Sequence, residues 1–139
     1  MTSRLNPYLS FSGNAREAME FYRSVFGGHL SVSTFGEFGA SDDPAVADGV
    51  MHAMLETKLG FTLMASDTPP GMEASAPGGS ITLSLSGDDA ELLRGYFDAL
   101  AEGGTVGVPL EKQMWGDEFG MCVDRFGTPW MVDLGTGDD

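Results

Sequence analysis

The side chains able to do chemistry are few, and their spacing limits what they can do. The chain of 139 residues carries two histidines, His29 and His52, and one cysteine, Cys122. His52 and Glu56 lie in the segment MHAMLE. In a strand these two share a face, but at about 3.3 Å per residue they stand roughly 13 Å apart, too far to hold one ion. A metal at His52 would need partners from elsewhere, such as Asp67 or Glu111. Without them, His52 is a polar wall residue of a cavity or a hydrogen-bonded sheet residue. His29 follows two glycines that read as a helix end, where a cation is favourable, so it reads as structural. Cys122 sits in an apolar stretch with no base nearby in sequence, which suits an inert core thiol. Asp117 and Glu118 adjoin aromatic residues. Neighbours in a strand face opposite ways, so these two form no acid pair unless a turn intervenes. Asp42, Asp43 and Asp48 lack the ordered spacing and terminal Glu of an EF-hand and read as a solvated acidic loop.

The elements that must position these groups come from a sequence that nearly repeats itself. Residues 8–22, YLSFSGNAREAMEFY, align with residues 82–96, TLSLSGDDAELLRGY, at an offset of 74. Identical pairs include Leu9/Leu83, Ser10/Ser84, Gly13/Gly87, Glu17/Glu91 and Tyr22/Tyr96. Each copy opens with a period-two strand: Leu9 and Phe11 face one side, Tyr8 and Ser10 the other. Asn14 and Asp88 are read as equivalent helix caps, with Glu17 and Glu91 at capping-box spacing. Apolar stripes through Ala18, Met19, Tyr22 and Phe26, and through Leu93, Tyr96, Phe97 and Leu100, predict two helices. Gly27-Gly28 and Gly103-Gly104 should end them. Strands are expected near 29–35, 50–57 and 61–66, and again near 105–111, 118–124 and 129–134. Lys58-Leu59-Gly60 and Asp124-Arg125-Phe126-Gly127 read as matching hairpin turns. Segments 36–48 and 67–79, rich in Gly, Pro, Asp and Ser, read as loops and as candidate lids. The expected fold is a single α+β domain over residues 1–139, made of two tandem βαβββ repeats (about 5–67 and 79–134). Two like units usually leave a concave seam, and function is expected there.

Composition narrows the partners. Seven basic residues against 21 acidic ones give a net charge of −14, which repels phosphate backbones and anionic membranes. No nucleic-acid or membrane partner is therefore expected. No apolar run approaches the roughly 20 residues of a membrane span, and the start MTSRLNPYLS is unlike a signal peptide. A lone cysteine makes no internal disulfide, so a cytoplasmic location is the expectation.

The segments PYLSFSGNAREAMEFYRSVFGG (7–28), FTLMASD (61–67), GGSITLSLSGDD (78–89) and WGDEFGMCVDRFGTPWM (115–131) carry a resemblance. Together they resemble the PhnB-like branch of the vicinal oxygen chelate superfamily, which includes glyoxalase I, extradiol dioxygenases and the bleomycin resistance proteins. The resemblance implies that each half curls its strands around a central cavity, with the helices outside. It also implies a metal held by one residue from the first and last strand of each half. Strand phase carries those positions to Asn6, Leu63, Ser80 and Met131, and neither they nor their flanks are His, Glu, Asp or Cys. A hard or borderline divalent ion has no ligands there, so no metal or other cofactor is expected. Some branch members are described as 3-demethylubiquinone methyltransferases, but no glycine-rich strand-to-helix loop for an adenosyl cofactor is present.

The expected function is metal-independent binding of a small, partly apolar molecule in the inter-repeat cavity. Its expected lining is Tyr8, Leu63, Ser80, Thr82 and Met131, with His52 in the wall and Trp115 at the mouth. Trp130 is expected in the core. The alternative is a lyase, isomerase or dioxygenase-like enzyme using His52, Asp117, Glu56 or Tyr8. A homodimer is implied by the resemblance alone.

Overall fold

The computed structural model describes residues 5–38, 47–68, 81–114 and 116–135. They fall into two compact units, one from each repeat. The first unit runs β1 (Tyr8–Phe11), α1 (Ala15–Phe26), β2 (His29–Thr34), β3 (Val50–Glu56) and β4 (Thr62–Asp67), with a 3-10 turn at Gly36–Phe38 after β2. The second runs β5 (Leu83–Gly87), α2 (Ala90–Ala101), β6 (Thr105–Lys112), β7 (Glu118–Val123) and β8 (Pro129–Leu134). Each unit holds one mixed four-stranded sheet, ordered β1-β4-β3-β2 and β5-β8-β7-β6. In each, the first strand is parallel to the last and the other pairs are antiparallel. This is the α+β, tandem βαβββ pattern that the repeat predicts. The segment 67–79 lies largely, and 36–48 partly, outside the described residues.

The apolar stripes do the packing. Helix α1 buries Ala18, Met19, Tyr22 and Phe26, and α2 buries Leu93, Tyr96, Phe97 and Leu100. In the first sheet Ala53, Leu55, Leu63 and Ala65 are buried. Each fully buried Leu or Phe side chain is worth about 1.5–3 kcal/mol.

The helix starts differ from the expected caps. Asn14 occupies the cap position of α1, but its side chain makes no capping hydrogen bond. The carboxylate of Asp67, at the end of β4, does this instead. Its Oδ1 accepts from the Gly13 and Ala15 N–H groups at 2.9 Å each, and its Oδ2 accepts from the Val50 N–H at 2.9 Å. In α2 the cap is Asp89 rather than Asp88, accepting from the Leu92 N–H at 3.1 Å. A cap must immediately precede the first helical residue to reach the N–H three positions on, and Asp89 precedes Ala90.

The hairpins match. Thr57 N–H donates to Phe61 O at 3.0 Å, and Asp124 N–H donates to Thr128 O at 2.9 Å. The β3–β4 and β7–β8 hairpins are thus equivalent at an offset of 67, from 57 to 124. On β6, the end strand of its sheet, Pro109 falls in the second of two register breaks, between Val108 and Glu111.

Gly28 and Gly104 are required by close contact with backbone carbonyls. A Cβ at Gly28 would lie 2.0 Å from Glu56 O, and one at Gly104 would lie 2.1 Å from Val123 O. Gly95, inside α2, has open space around it. Gly28→Ala and Gly104→Ala should each cost about 2 kcal/mol or more through forced backbone shifts. Gly95→Ala should instead gain roughly 0.5–1 kcal/mol. Urea unfolding of the three variants checks both signs.

Candidate functional site

Helix α1 covers one face of the first sheet, and strand alternation decides what the other face presents. Register sets Tyr8 beside Met64 and Met64 beside Met54, a row across β1, β4 and β3. His52 precedes Met54 by two residues and shares its face. The His52 and Tyr8 rings are tilted, with centroids 5.9 Å apart. Asn6 Nδ2 makes a weak contact with Met64 Sδ at 3.9 Å. Tyr8 is half exposed, and His52, Met54 and Met64 are half-buried. The result is an open face of amide, phenol, imidazole and thioether groups, with the exposed Glu56 carboxylate at the end of β3.

The second sheet has a related face. Ser84, Met131 and Met121 form one row, and Ser86, Asp133 and Phe119 the next. At the hairpin offset of 67, Met54 and Met64 correspond to Met121 and Met131, and His52 corresponds to Phe119. Both sheets therefore carry one cross-strand methionine pair on the face turned from the helix. Sequence reading missed this duplication, although the hairpin offset held the signal.

Several expected site residues move. Leu63 is a correction: it is 2% exposed, lies opposite Leu55 and belongs to the core, not to the open face. The residue equivalent to Met131 is Met64, one position on. Met131 does lie on the open face and is half-buried. Thr82 is exposed just before β5. Ser80 and Trp115 lie outside the described residues. Trp130 is core, and its Nε1–H donates to Asp124 Oδ2 at 2.8 Å. Asp67 is no partner for His52, because its carboxylate is buried on the helix side and holds three N–H groups. Among the described residues, no three His, Cys, Asp or Glu side chains are grouped to hold an ion. The positions that the resemblance implies for a metal shift in β4 from Leu63 to Met64, so those among the described residues would be Asn6, Met64 and Met131. An amide and two thioethers do not suit a hard or borderline divalent ion.

A carboxyl pair emerges that the sequence reading did not find. Asp117, before β7, lies close enough to Asp133 of β8 for the two carboxyls to interact. Burial first, and the neighbouring Asp133 carboxyl second, raise the Asp117 pKa above its ordinary value. Asp133 Oδ1 is buried without a hydrogen-bond partner among the described residues. Glu118, the sequence neighbour of Asp117, instead pairs with Arg94 of α2. Cys122 is 2% exposed, and burial followed by the Asp124 charge pushes its thiol up to about 11.

A raised Asp117 pKa means the fold favours its protonated form. That stabilisation is present below the ordinary carboxylate value and is lost as pH rises through the folded value. Asp117→Asn should therefore raise the thermal midpoint near about pH 7, with the gain shrinking in acid below about pH 4. Melts across pH check this. At about pH 8 the folded Cys122 thiol should resist iodoacetamide, while denatured protein reacts readily. Mass spectrometry of the two samples checks that.

Protein PA1353 of Pseudomonas aeruginosa is 41% identical to this chain, with a TM-score of 0.80 over 96% of this chain and 98% of that one. A PhnB protein from Bacillus cereus is 26% identical, with a TM-score of 0.76 over 96% of this chain and 100% of that one. Protein YjdN of Escherichia coli (strain K12) is 31% identical over 141 residues, spanning 94% of each chain. Residues 4–132 match the family model of the Glyoxalase/Bleomycin resistance protein/Dioxygenase superfamily, and with the two βαβββ units above, the chain belongs to that superfamily.

Proposed function

We propose that this chain binds a small, partly apolar organic molecule, without a divalent metal, on the open faces of its two sheets. The observation that carries this reading is the chemistry of the open sheet faces. They offer thioethers, an aromatic ring pair and a few polar groups, the usual lining of a small-molecule pocket. Methionines adapt to varied ligand shapes. The positions that hold the superfamily's metal offer amide and thioether groups instead. Net charge of −14 favours a ligand with cationic character. In this reading the chain works as a homodimer in the cytoplasm. Among the described residues, no helix is long and apolar enough to cross a membrane.

One observation favours a second reading, an enzyme. Asp117 beside Asp133 keeps a proton more readily than an ordinary carboxyl and can act as a general acid toward a bound metabolite. The lyase, isomerase or dioxygenase-like reading would then use Asp117.

Thermal unfolding of chelator-treated protein tests the proposal, using Zn²⁺, Ni²⁺, Mn²⁺, Fe²⁺ and Mg²⁺ and then a panel of aromatic metabolites and cationic drugs. A ligand at a hundredfold excess over its dissociation constant adds about 2.7 kcal/mol, enough to move the midpoint by several degrees. An organic compound should give a saturable shift that Tyr8→Ala abolishes, while the divalent ions give none. A saturable shift with a divalent ion alone would overturn the metal-free reading. Turnover of the stabilising compound that Asp117→Asn abolishes would establish the enzyme.

A further inference from the structure

Both sheets carry a cross-strand methionine pair, but among the described residues only the first places an imidazole beside it. We propose that Met54, Met64 and His52 form a binding site for a soft monovalent metal ion of the copper(I) or silver(I) class. The inference goes beyond the organic-ligand reading and stands without it.

Met54 and Met64 lie directly opposite each other on antiparallel neighbours β3 and β4. Their Cβ atoms are then about 5 Å apart, and His52 stands roughly 7 Å along the same face. Three side chains of this length can reach one ion above the centre of such a triangle. The donor set selects its metal. Neutral thioethers are soft ligands that favour copper(I), and imidazole suits copper as well. The trio holds no carboxylate, the group that magnesium, calcium and manganese prefer, and the nearest on this face of β3, Glu56, stands beyond Met54 on the side away from His52. All three side chains are half-buried, so the ion can enter while its shell stays partly shielded from water. The Tyr8 ring packs against His52 at 5.9 Å between centroids, which steadies the imidazole and offers an aromatic face to a cation. Among the described residues, the polar contact on Met64 Sδ is the long one from Asn6 Nδ2, at 3.9 Å, which a metal displaces at little cost. The net charge of −14 concentrates cations near the chain.

The second repeat is an internal control. Met121 and Met131 reproduce the pair, but Phe119 stands where His52 stands. With two thioethers and no imidazole, that sheet lacks the third ligand.

The test uses silver(I) nitrate, redox-inert, titrated in chloride-free buffer into Cys122→Ala protein carrying 13C-labelled methionine methyl groups. One equivalent should saturate the site and shift the Met54 and Met64 methyl signals, leaving those of Met121 and Met131 in place. Met54→Leu and Met64→Leu conserve volume and should keep the fold. Each should weaken silver binding by about tenfold or more through loss of a soft ligand. His52→Phe should reduce the first pair to the behaviour of the second. The unaltered protein gives an independent readout: bound silver should slow peroxide oxidation of Met54 and Met64 and spare no other methionine. Shifts or protection spread over all methionines, or centred on Met121 and Met131, would overturn the proposal, as would unchanged affinity in the Met54→Leu/Met64→Leu double variant. A silver failure is distinguishable from failure of the organic-ligand reading, since each is read with its own probe.

Discussion

The buried carboxylate of Asp67 sets the phase of β4, and the open face of the first sheet depends on that phase. A carboxylate taken out of water is costly unless its lone pairs are occupied. Here three backbone N–H groups occupy them, from Gly13, Ala15 and Val50. One side chain thereby ties the start of α1, the start of β3 and the end of β4. With Asp67 turned inward, Ala65 and Leu63 also face α1, and Ser66 and Met64 face the other way. A slip of one residue would put every side chain of the strand on the wrong face. It would leave the carboxylate without donors and the methionine pair facing the helix. The second unit reaches the same phase through apolar burial of Trp130, Val132 and Leu134, with the Trp130 indole tied to Asp124.

The two open faces show how a duplicated backbone diverges in chemistry. Both retain the methionine pair at the same rungs. Around it the first sheet has His52 and Tyr8, and the second has Phe119 and the Asp117–Asp133 pair. Substitution on these faces leaves the helix-side core untouched, because alternation separates the two sets of side chains. The first face is soft at its methionines, with His52 on one side of Met54 and the Glu56 carboxylate on the other. The second sets Met121, Met131 and Phe119 among Ser84, Ser86 and Asp133.

Much of this was legible in the sequence, for physical reasons that differ by element. The helix stripes were clear because a 3.6-residue period over twelve residues leaves little ambiguity. The matching turns were clear because Gly60 and Gly127 sit at positive φ, where other residues are strained. The β4 phase was not legible. Both Thr62 and Leu63 are buried, at 6% and 2% exposed, so the strand has no clean alternation at its start. The cap of α1 was read locally as Asn14, and a carboxylate distant in sequence took its place. Asp88 and Asp89 are adjacent acids, and only helix geometry distinguishes them. The Asp117–Asp133 pair needs β7 and β8 in register, which no local pattern encodes.

The most direct test compares two neighbouring residues of β4 in a single thermal-unfolding experiment: Leu63→Ala against Met64→Ala, each with and without the organic compound that most stabilises the parent protein. The account predicts that Leu63→Ala loses about 2–5 kcal/mol by opening a core cavity yet keeps its ligand-induced shift. Met64→Ala should unfold near the parent midpoint and lose the shift. The opposite pattern, a destabilised Met64→Ala and a Leu63→Ala that no longer responds to ligand, would contradict it.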